Sequence, residues 1–63
     1  MVNRGDYVVT EQHNYKVIGV LGSVIYLLPV RSNEMDDKIQ HHHMTDIEQQ
    51  FRKIEYVLNN EGR

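Results

Sequence analysis

The 63-residue chain has no cysteine, no tryptophan, a single proline, and no apolar run longer than Val24–Val30. Without cysteine, disulfide staples and thiolate metal sites are excluded. That matters at this size, because a chain this short buries only about 60% of the surface it exposes when unfolded. Domains so small are ordinarily reinforced by disulfides, a metal or a partner subunit. What remains here is good local structure, association, or a histidine-based metal. The short apolar run is far from the roughly 20 residues that a membrane-spanning helix needs. No basic-then-apolar leader pattern opens the sequence, so a cytoplasmic protein that does not engage the membrane is expected.

Chemistry is sparse as well. No Gly-rich phosphate cradle occurs, and Ser23 and Ser32 sit in turn sequences with no base placed beside them. Asp36-Asp37 is an acidic pair on a loop or helix start, where it favours the helix dipole. The chain is therefore expected to be neither an enzyme nor a cofactor carrier. Charge of one sign is also missing: seven Lys+Arg stand against nine Asp+Glu, a formal net charge of −2. The basic residues are scattered, whereas a nucleic-acid binder concentrates them on one face. Residues 1–33 carry a net +1 and residues 34–63 a net −3, which reads as an acidic, solvated second half.

What is present reads first as strands. Segments 6–12, 15–21 and 24–31 are β-branched and aromatic. Gly22-Ser23 between the last two is the Gly-X loop of a type II′ hairpin. Counting outward from it pairs Leu21 with Val24, Val20 with Ile25, Gly19 with Tyr26, Ile18 with Leu27, Val17 with Leu28 and Lys16 with Pro29. Tyr26 would then cover the gap left by Gly19. Pro29 bars a ladder on the outer side of its strand. A His13-Asn14 turn would set Glu11 opposite Lys16, Val9 opposite Ile18 and Tyr7 opposite Val20. In this register one face carries Tyr7, Val9, Ile18, Val20, Ile25 and Leu27. The other includes Val8, Tyr15, Val17, Leu21, Val24, Tyr26, Leu28 and Val30. Both faces are apolar, where a sheet with one wet face should alternate.

The C-terminal part supplies a helix over about 46–59. Thr45-Asp46-Ile47-Glu48 has capping-box form, Ile47, Phe51, Ile54 and Leu58 make an apolar stripe, and Asn59-Asn60-Glu61-Gly62 is a stop. The rival is a strand from Arg52 to Leu58, in which Ile54, Tyr56 and Leu58 alternate. Segment 32–44 stays open between a turn of helix through Met35 and Ile39 and a fourth strand from Lys38 to Met44, with helix preferred. The fold class is thus α+β: a small, curled, three-stranded antiparallel meander with a C-terminal amphipathic helix, in one domain over 1–63.

His41-His42-His43 interrupts this pattern. Three consecutive side chains diverge on a helix or a strand, so they cannot all bind one ion, and an exposed polar turn is expected. His42 with Asp46, and His13 or Glu48 as remote additions, would make only an edge of a metal site. No metal is expected. Arg4-Gly5-Asp6 matches a cell-adhesion tripeptide, but Gly5 is read as shaping the approach to the first strand.

Gly5-Asp6-Tyr7-Val8-Val9, followed by two strands around a tight turn, resembles the first part of SH3-like small barrels. With the helix added, the layout is similar to a chromo-type variant, over roughly residues 5–31 plus the helix. Chromo domains hold methylated lysine in an aromatic cage; with no tryptophan and no third aromatic after the third strand, no binding residue carries over. The functional expectation rests on the doubly apolar sheet. It is a small non-catalytic protein that binds and modulates another protein of the host or cell, forms a homo-oligomer, and would suit a bacterial or phage accessory or inhibitor factor. Its candidate interface is Tyr15, Val17, Val24, Tyr26, Leu28 and Val30. The alternative is a nucleic-acid-binding small barrel or transcriptional regulator, disfavoured by charge.

Overall fold

A computed structural model describes residues 1–56. Its centre is the hairpin of β2 (Asn14–Leu21) and β3 (Val24–Val30), joined by Gly22-Ser23. Gly22 has φ +61° and, among the described residues, none other than glycine has positive φ, so the turn is type II′ rather than I′. Leu21 faces Val24, Val20 faces Ile25 and Gly19 faces Tyr26, as counting from the turn predicts. Tyr26 lies over Gly19, where an added Cβ would meet its ring carbon at 3.5 Å.

Beyond that point the expected register is corrected. Ile18 is an extra residue on β2, and the ladder resumes with Val17 opposite Leu27, Lys16 opposite Leu28 and Tyr15 opposite Pro29. Side-chain direction on a strand alternates with period two, so one inserted residue turns everything beyond it to the other face. Val17 thereby joins Ile25 and Leu27 instead of opposing them.

The approach of β1 (Tyr7–Val9) is corrected as well. Tyr7 faces Lys16, Val8 faces Tyr15 and Val9 faces Asn14, four residues away from the expected pairing. The link is not a His13-Asn14 turn but the loop Thr10–His13, and the expected Glu11–Lys16 pair does not form. Thr10 explains the difference. Its hydroxyl donates to the His13 carbonyl at 2.6 Å and accepts from the His13 amide at 2.8 Å, while its own amide donates to the same carbonyl at 3.0 Å. A threonine that closes its own loop outcompetes the two-residue turn.

The fold class itself is corrected. Among the described residues the sheet has five strands in the order β4-β1-β2-β3-β5 and is mixed, not a three-stranded antiparallel meander closed by a long helix. β4 (His41–His43) runs parallel to β1, and β5 (Lys53–Tyr56) runs parallel to β3. Between them lies α1 (Met44–Gln50), two turns long, with His43 at its N-cap and no side-chain cap bond, so Thr45 does not cap it. The helix expected over 46–59 gives way at Phe51, whose backbone is extended. Its expected remainder, Leu58 and the Asn59–Gly62 stop, lies outside the described residues.

The physical reason is visible in the apolar stripe. Ile47 is fully buried, and Phe51 and Ile54 pack against the same core. A strand carries Ile54 inward and also gives its backbone β3 as a hydrogen-bonding neighbour. Local helix propensity, worth tenths of a kcal/mol per residue, cannot outweigh that. Ser23 at the hairpin tip anchors the change of direction, its carbonyl accepting from the amides of Arg52 at 3.1 Å and Lys53 at 3.3 Å. Pairing with β5 covers Val24–Leu27, so over these residues the outer side of β3 carries the ladder that Pro29 was expected to bar.

Two crossovers build the layers. From β3 the chain returns to the far edge through a 3₁₀ turn at Ser32–Glu34 and residues 35–40, passing Tyr7, whose hydroxyl donates to the Glu34 carbonyl at 3.4 Å. From β4 it crosses back through α1 over the opposite face. There Val8, Val17, Ile25, Leu27 and Ile47, all at 0% exposure, form the core together with Val2. Full burial of each is worth roughly 1.5–3 kcal/mol.

Candidate functional site

The two sheet faces differ in what covers them. The helix face holds the core. The opposite face is covered by the 31–40 crossover at the Tyr7–His41 end, where these two rings meet edge to face at 5.5 Å. Along β3 this second face carries Val24, Tyr26, Leu28 and Val30, all half-buried, and Leu21 opposite Val24 extends the row at 68% exposure. Polar rows flank it. Asn14 and Lys16 stand opposite Val30 and Leu28 on one side, and Lys53 and Glu55 stand opposite Val24 and Tyr26 on the other, ion-paired at 3.7 Å. The result is a one-strand-wide apolar ridge with a polar border, the anatomy of an interface patch. A shallow groove beside it is lined by Arg4, Lys16, Ile18 and Leu28.

Four of the six interface residues expected from sequence therefore lie together on this face: Val24, Tyr26, Leu28 and Val30. The other two do not. Val17 is in the core at 0% exposure, and Tyr15 packs toward the core on the helix face. The Ile18 bulge separates them from the rest, and nothing in the alternation of the sequence marks it.

On the helix face, beside α1, an open cleft of about 740 Å³ runs between the Thr10–His13 loop, the start of α1 and β5. Val9, Met44 and Tyr15 line it, with Glu11 and His13 from the loop, His43 and Thr45 from the helix start, and Tyr56 from β5. The rings of Tyr15 and Tyr56 stand 4.9 Å apart at 48°, and His13 meets Tyr15 at 6.3 Å and 60°. Tyr56 is 52% exposed. Partial burial, then the neighbouring Tyr15 and Glu48, raise its phenol above the usual 10.0. Sequence reasoning missed this cluster because it placed Tyr56 on a helix. The alternation of Ile54 and Tyr56 in the rival strand was the signal that could have found it.

The histidine run forms a strand, not an exposed turn, so its side chains alternate. His42 points to Asp6, with Nε2 2.9 Å from Oδ2, and the same carboxylate oxygen accepts the Asn3 amide at 3.0 Å. His41 Nε2 lies 3.2 Å from the Asp36 carbonyl. The expected His42–Asp46 edge is replaced by the Asp6 contact, and among the described residues no group of three or more His, Asp or Glu is arranged to hold a metal ion. Asp6 belongs to the Asn3–Asp6 turn, closed by its own amide on the Asn3 carbonyl at 3.0 Å, with Gly5 at φ +98°. Gly5 thus shapes the approach to β1, as read from the sequence.

Comparison with protein-family models, curated proteins and solved structures finds no match to this chain. No helix among the described residues is long and apolar enough to cross a membrane.

Proposed function

We propose that this chain is a small non-catalytic interaction protein that binds and modulates another protein, with the β3 ridge as its contact surface. The observation that carries this reading is the row Leu21, Val24, Tyr26, Leu28 and Val30 on the face opposite α1, bordered by Asn14, Lys16, Lys53 and Glu55. A partner would desolvate the apolar row and leave the charged border wet, the arrangement in which aromatic and aliphatic anchors dominate affinity. A second copy of the chain is one partner that such a ridge suits. The cysteine-free composition fits a reducing compartment.

The test is affinity capture from the native host's lysate with identification by mass spectrometry, run in parallel with Leu28→Lys and Tyr26→Asp. The wild type is expected to retain a defined protein that both variants lose while keeping its thermal transition. Equal capture by all three forms would overturn the ridge. Sedimentation at micromolar concentration separates self-association from a foreign partner.

Nucleic-acid binding is the second reading, and one observation favours it: Arg4 and Lys16 line the groove beside Leu28, on the face that presents Tyr26. It requires binding to DNA or RNA that weakens steeply with salt. The net charge of −2 opposes it.

A further inference from the structure

We draw no further inference here: the strongest candidate, the shallow groove of Arg4, Lys16, Ile18 and Leu28 along the β2 side of the β3 ridge, belongs to the surface already described, and nothing in the structure shows what covers it.

Discussion

At the scale of single residues, three side chains have consequences that can be measured. Ile47 is the only residue of α1 buried in the core, at 0% exposure. Ile47→Ala is expected to cost about 2–5 kcal/mol in urea unfolding, from lost transfer energy plus the cavity left behind. Asp6 is 7% exposed and holds the Asn3 amide and His42 on one carboxylate oxygen. Asp6→Ala leaves the Asn3 amide without its acceptor and should cost about 1–3 kcal/mol, whereas Asp6→Asn, which keeps an acceptor, should cost less. Tyr56 carries a phenol raised above its usual 10.0, first by partial burial and then by Tyr15 and Glu48. A raised folded-state value means the native chain holds this proton longer than the unfolded chain. The associated stability is complete below pH about 10 and is lost as pH rises through the folded value. Alkaline thermal melts should therefore fall less steeply in Tyr56→Phe than in the wild type.

At the scale of elements, the bulge in β2 decides which side chains reach the core. Because Ile18 is the extra residue between Val17↔Leu27 and Gly19↔Tyr26, deleting it removes the irregularity and keeps both pairs. The deletion variant is expected to fold with the same cross-strand NOEs. Loss of the Val17–Leu27 contact would show that the bulge lies elsewhere. The hairpin was legible in sequence because Gly22-Ser23 is a local signal that needs no partner, and its first three pairs follow by counting. The bulge was not legible, since a strand of Asn-Tyr-Lys-Val-Ile-Gly-Val-Leu alternates acceptably in either phase and only the two packed layers choose between them. The C-terminal helix failed for a related reason. Ile47, Phe51 and Ile54 fit a helical stripe, yet they reach the same core from a short helix followed by a strand. Which backbone delivers them depends on the free edge of β3, a fact about another part of the chain.

At the scale of the whole molecule, both outer strands are placed by sequence-distant parallel pairings, β4 beside β1 and β5 beside β3. Loop closure must precede those contacts, so refolding is expected in the millisecond-to-second range by stopped-flow rather than in microseconds. The expectation of a three-stranded meander omitted them because parallel neighbours leave no turn signature; they need a crossover, and the sequence of a crossover does not say which edge it reaches. The candidate surfaces divide along the same line. Val24, Tyr26, Leu28 and Val30 share a face in any register, because they alternate along one uninterrupted strand. The aromatic cleft joins Tyr15 to Tyr56 only when β5 docks beside β3. By itself the sequence determined the type II′ hairpin, the inward course of Ile47 and Ile54, and the exclusion of disulfides, all of which depend on near neighbours or composition. The strand order, the face taken by Val17 and the meeting of the two tyrosines were decided by tertiary structure, because each is set by which distant backbone edges satisfy one another's hydrogen bonds while closing a single core.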